Sequence, residues 1–106
     1  TGNGNADGTF VYTGFKPAWI MIKQSDGANG WNIYDNKRNT FNVMDKFLLA
    51  NSSQAEASYS VIDFLSNGIK LRNTASSFNT SGASYIFMAF ASNPLVTSTG
   101  VPATAR

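Results

Sequence analysis

The stretch that decides the fold is YSVIDFLSNGIKLR, residues 59–72. β-Branched and aromatic residues dominate its first half, and in its second half Ile69 and Leu71 alternate with Lys70 and Arg72. Alternation with a period of two belongs to a half-buried strand. Asn-Gly between two such runs is a strong local hairpin signal, because both positions tolerate positive φ. The stretch therefore predicts two antiparallel strands, Tyr59 to Leu65 and Ile69 to Arg72, joined at Ser66-Asn67-Gly68.

The same grammar extends in both directions. On the C-terminal side a Ser/Thr/Asn/Gly loop, Asn73 to Gly82, is interrupted only by Phe78 and leads into Ala83 to Ser92, ASYIFMAFAS. There Tyr85, Phe87, Ala89 and Ala91 share one face and Ile86, Met88 and Phe90 the other, so the strand is apolar on both sides and calls for cover on both. On the N-terminal side the strands are Thr9 to Phe15, Pro17 to Gln24, Trp31 to Asp35 and Lys46 to Ala50. The pairs Asp26-Gly27 and Asn29-Gly30 mark a turn between the second and third. Residues 36–45 form a connection long enough to be functional, expected to pack Phe41 and Met44 against the body of the fold. Residues 51–58 are too weakly patterned for a stable helix. The expected architecture is one all-β domain over residues 1–106. It is an antiparallel β-sandwich of concanavalin A-like or jelly-roll type, a partial domain completed by other chain or subunits, with a flexible segment at 1–8 and an extended arm at 93–106.

Composition narrows the function. In 106 residues, 42% are hydrophobic, enough for one core, while only 13% are charged against about 25% in ordinary soluble domains. Asn, Ser, Thr and Gly take the place of charge, as in loops that present a fixed neutral surface. A net charge of +2 from dispersed Lys and Arg makes no phosphate-tracking patch, so nucleic acid is not an expected partner. No apolar run approaches the roughly 20 residues of a membrane helix, and no membrane insertion is expected.

The chain has neither His nor Cys, which removes the commonest general base, the commonest transition-metal ligand and the best nucleophile. Any catalysis would fall to the six carboxylates, of which Asp35 and Asp63 are the pair a glycosidase reading would examine. The Asp-Gly-Ala-Asn run at 26–29 lacks the ligand spacing of a calcium loop and reads as a turn. The expectation is a protein that is not an enzyme and uses no metal or cofactor. Binding is better served. Trp31, Tyr34, Asp35, Asn36, Lys37, Arg38 and Asn39 gather aromatic, amide and charged groups around one strand and the loop after it, a mixture that suits sugar recognition. The Asn73 to Gly82 loop is a second candidate contact. The competing reading sends Trp31 and Ile33 into the core and makes Asp35 to Asn39 a self-bonded turn.

Four segments, GTFVYTGFKPAWIMIK (8–23), WNIYDNKR (31–38), DFLSNGIKLR (63–72) and SYIFMAFA (84–91), together resemble bacteriophage tail-fibre and related virion structural proteins that carry concanavalin A-like or SPRY-like sandwich domains. The segments are similar to the C-terminal portion of those domains. The resemblance implies a virion location, a homotrimeric fibre or spike in contact with other virion proteins, and recognition of a host-surface glycan or protein. Alternatives are a purely architectural virion or capsid-associated role and a polysaccharide depolymerase. It carries over no catalytic residue, and the metal-dependent sugar sites of plant lectins are not visible.

Overall fold

A computed structural model describes residues 1–93 and Thr99. Most of the expected C-terminal arm, residues 94–98 and 100–106, lies outside the described residues. Among the described residues seven strands form in chain order: β1 (Phe10–Tyr12), β2 (Pro17–Gln24), β3 (Asn32–Asp35), β4 (Met44–Leu49), β5 (Ala57–Leu65), β6 (Gly68–Leu71) and β7 (Tyr85–Ala91). A single turn of helix, α1 (Ser76–Asn79), precedes β7. All pairings are antiparallel, in the order β1-β6-β5-β4-β3-β2-β7. The all-β, antiparallel, sandwich-like fold expected from the sequence is the fold observed.

The sheet is one curled surface. β4 pairs with β3 on one side and β5 on the other, and its register to β5 shifts between Met44 and Lys46. Such a shift bends a strand and sharpens its twist. The inner face of the curl holds the core: Ile20 and Ile22 of β2, Tyr34 of β3, Met44 of β4, Ile62 and Phe64 of β5, and Ile69 and Leu71 of β6. Tyr34 is fully buried, stacked on Phe47 at 5.9 Å and edge-on to Phe78 at 5.8 Å. Burial raises its phenol pKa.

Three local expectations change. The hairpin at 59–72 forms, but Leu65 pairs with Gly68, so the turn residues are Ser66 and Asn67, and among the described residues no non-glycine residue has positive φ. Gly68 is needed for closeness instead: a Cβ there would sit 2.2 Å from the Val11 carbonyl oxygen on β1. Second, the Asn73 to Gly82 segment contains α1, which buries Phe78 and Asn79. Third, the segment at 1–8 is tied down. The Gly2 N–H donates to the Ala83 carbonyl at 2.9 Å, the Gly4 N–H to that of Asn79 at 2.9 Å, and the Gly8 N–H to that of Leu71 at 3.0 Å.

The two edges differ. Among the described residues β1, three residues long, pairs only with β6, and β7, seven residues long, pairs only with β2. Among the described residues β7 is covered only in part: Tyr85 and Ala89 pack against the core, whereas Ile86, Phe87, Met88 and Phe90 are 51%, 47%, 51% and 56% exposed.

Candidate functional site

The loop between β3 and β4 is shaped by side chains that replace missing backbone partners. Asp35 begins it. Its Oδ1 accepts the N–H groups of Lys37 and Arg38 at 2.9 and 2.8 Å, and its Oδ2 accepts Arg38 Nε at 2.6 Å. Burial alone would raise the Asp35 pKa, but the Arg38 N–H, the Arg38 guanidinium and the Lys37 N–H together outweigh it and hold the carboxyl below its ordinary value. Asn39 comes next, its Oδ1 accepting the N–H groups of Asp45 and Lys46 at 3.0 and 2.7 Å while its Nδ2 donates to Asp45 Oδ1 at 2.7 Å. Asn42 closes the series by imitating a strand. Its Nδ2 donates to the Phe64 carbonyl at 2.9 Å and its Oδ1 accepts the Phe64 N–H at 2.8 Å.

Between the Asn39 and Asn42 anchors the chain is pushed outward. Phe41, expected to pack inward with Met44, is 83% exposed, whereas Met44 is buried. Beneath the loop lies a cleft of about 250 Å³, lined by Lys16, Asn36, Thr40, Phe41, Asn42 and Phe64 among others. Its lining is mostly polar. Asn36 Oδ1 is buried without a hydrogen-bond partner, and Lys16 is exposed and makes no ion pair among the described residues. The Asn36 oxygen is an acceptor that the chain itself leaves without a partner.

The seven residues singled out from the sequence do not form one surface. Trp31 precedes β3 and Asn36 follows it, five residues apart and roughly 16 Å along an extended chain. Trp31 is 36% exposed, and its N–H donates to Asn51 Oδ1 at 2.9 Å at the far end of the strand. Tyr34 is a core residue. Asp35, Arg38 and Asn39 spend their polar groups holding the loop, with Arg38 also 3.8 Å from Glu56, and Lys37 is exposed. Of the seven only Asn36 lines the cleft. Lys16, Thr40, Phe41 and Asn42 line it too and carry no such signal in the sequence, although Asn39 and Asn42, the two amides that pin the loop, stand three residues apart.

The two carboxylates a glycosidase reading would use are both paired: Asp35 with Arg38, and Asp63 with Arg72 at 2.9 Å. A general acid needs a raised pKa, and that of Asp35 is lowered. Among the described residues no group of three or more His, Cys, Asp or Glu could hold a metal ion, and no helix is long and apolar enough to cross a membrane.

A family model matches residues 1–94. The chain belongs to the DUF7483 family, a domain of unknown function. The DUF7483 match takes in every strand among the described residues and the whole cleft. No curated protein and no solved structure matches the chain.

Proposed function

We propose that the chain is a surface-recognition module that binds carbohydrate in the cleft beneath the 36–43 loop, serving a virion as a tail-fibre or spike domain that meets the host surface. The observation that carries the binding reading is one cleft lined by both the exposed Phe41 and Asn36, whose Oδ1 has no partner within the chain. An aromatic face can stack on the C–H face of a sugar ring, and an amide acceptor selects a hydroxyl. The cleft has room for one ring rather than a drug-sized molecule. Lys16 adds a cation to an otherwise neutral lining, which favours sugars bearing a carboxylate. The virion setting rests on the resemblance of the strand segments alone.

The experiment is binding of the purified chain to an array of bacterial surface polysaccharides. Phe41→Ala should weaken binding about tenfold, the effect of losing one well-placed aromatic contact. Lys16→Ala should weaken binding only to acidic polysaccharides, and added salt should narrow that difference. Binding that survives both substitutions, or no binding to any polysaccharide, overturns the reading. A second reading, an architectural virion protein, draws support from the exposed apolar side chains of β7.

A further inference from the structure

β7 carries none of the devices that normally protect a sheet edge. Natural edges are shortened, bent by a bulge, or interrupted by charge or Pro. β1 is protected by being three residues long. β7, YIFMAFA, has no charge, no Pro and no Gly, and the irregularity in its pairing falls at the β2 end between Pro17 and Trp19.

The direction of its free backbone groups follows from its ladder. Ser25 N donates to Ser84 O at 2.9 Å, and Ser25 continues the register Gln24↔Tyr85, Lys23↔Ile86, Ile22↔Phe87 and Met21↔Met88. Hydrogen-bonded pairs alternate in an antiparallel ladder. Ser84, Ile86 and Met88 therefore turn their N–H and C=O groups toward β2, and Tyr85, Phe87 and Ala89 turn theirs toward the open side.

We infer that β7 pairs antiparallel with β7 of a second copy of this chain about a two-fold axis at Met88, joining two seven-stranded sheets into one. The sequence of the strand is complementary to itself in this register. Phe87 meets Ala89 of the other copy, and Tyr85 meets Ala91, large against small on the inner face. On the outer face Ile86 meets Phe90, and Met88 meets Met88. The pairing opposes no like charges. It satisfies the outward N–H and C=O groups and covers flanks of four large side chains that are about half exposed in the single chain. The outer row is braced from behind, because Phe90 packs edge-on against Trp19 at 5.4 Å. An isologous contact of this kind closes on itself and stops at two chains.

The register makes a sharp test, because the chain contains no Cys. In the two-fold pair, position 88 forms a non-hydrogen-bonded pair with itself, with Cα atoms about 4.5 Å apart, within disulfide reach. Position 86 lies opposite position 90 of the other copy, so two residues at 86 are roughly 14 Å apart. Met88→Cys in the full chain should form a disulfide-linked dimer in air, and Ile86→Cys should not. Sedimentation should give a dimer for the unmodified chain and a monomer for Met88→Lys, which retains its β-sheet circular dichroism because the side chain it replaces is half exposed. A monomer or trimer for the unmodified chain, cross-linking at 86 in preference to 88, or a folded Met88→Lys that remains dimeric overturns the inference. A monomer whose β7 amides are protected from hydrogen exchange would point to cover by residues 94–106 of the same chain.

Discussion

At the scale of the residue, Asp35 shows how one side chain can shape a site without belonging to its lining. It sits at the end of β3 and accepts three hydrogen bonds from Lys37 and Arg38, fixing the first turn of the loop that carries Phe41. Its folded pKa is depressed below the ordinary 3.8, so folding is favoured by its charged form. That contribution is fully present above the unfolded value and is lost as pH falls through the folded one. Asp35→Asn keeps an acceptor oxygen and removes the charge. The gap in urea midpoint between the unmodified chain and Asp35→Asn should be constant above about pH 5 and shrink steadily below pH 3.8. A gap independent of pH would mean that the Arg38 pairing contributes nothing beyond its geometry. The Asp35 to Asn39 turn was visible in the sequence as one of two readings, because Asp and Asn bond readily to the backbone two or three residues on. The exposure of Phe41 was not visible. Aromatic residues in small β domains are usually buried, whereas this one projects from a loop fixed by the bonds of Asn39 to β4 and the long-range bonds of Asn42 to β5.

At the scale of the element, strands were legible and their connections were not. β2 matches its expected bounds, and β3, β4, β5, β6 and β7 fall within two residues of theirs, because runs of β-branched and aromatic residues bounded by Gly, Asn and Ser are local signals. α1 is four residues long, below the length at which a helical period can be recognised. Gly68 illustrates what local signals omit. Its place in Asn-Gly suggests a turn, whereas its structural demand comes from β1, distant in sequence and pressed close in space. Gly68→Ala should lift β1 from β6, since the obstructing atom is a backbone carbonyl 2.2 Å away. A net destabilisation of about 1–3 kcal/mol is expected, the range for overpacking, against a partial gain of about 0.4–1 kcal/mol from a less flexible unfolded chain. Hydrogen exchange should locate the damage. The Thr13 amide, which donates to Asn67 O at 3.0 Å, and the Leu71 amide, which donates to Thr9 O at 3.1 Å, should lose protection while amides of the β4–β5 ladder retain it.

At the scale of the whole molecule, a curled sheet with open edges needs something to hold its mouth together, and here the first nine residues do so. Between the β1–β6 side and the β2–β7 side lies an apolar cavity of about 110 Å³, lined by Val11, Ile22, Ile69, Leu71, Phe78 and Phe87 among others. Thr1, Gly2 and Thr9 border it. The segment spans the gap, bonded through Gly2 to Ala83 and Gly82 just before β7 and through Gly8 and Thr9 to Leu71 on β6. Asn79 holds its middle. The side chain is fully buried, its Oδ1 accepting the Asn3 N–H at 2.9 Å and its Nδ2 lying 2.8 to 3.1 Å from Asn3 Oδ1, Asn5 O and Asn73 O. Removing one partner of a buried network leaves the others unsatisfied, at about 1–3 kcal/mol for each group that water cannot reach. Because part of this network can rehydrate once the segment loosens, Asn79→Ala should cost about 3 kcal/mol and lower the melting temperature by roughly 10–20 °C. The Gly2 and Gly4 amides should lose protection together, since they bond to the same clasp. The cleft under Phe41 is lined by a different set of residues, so polysaccharide binding measured well below the lowered melting temperature should be unchanged. Equal loss of binding and stability in Asn79→Ala would show that the clasp and the cleft form one cooperative unit.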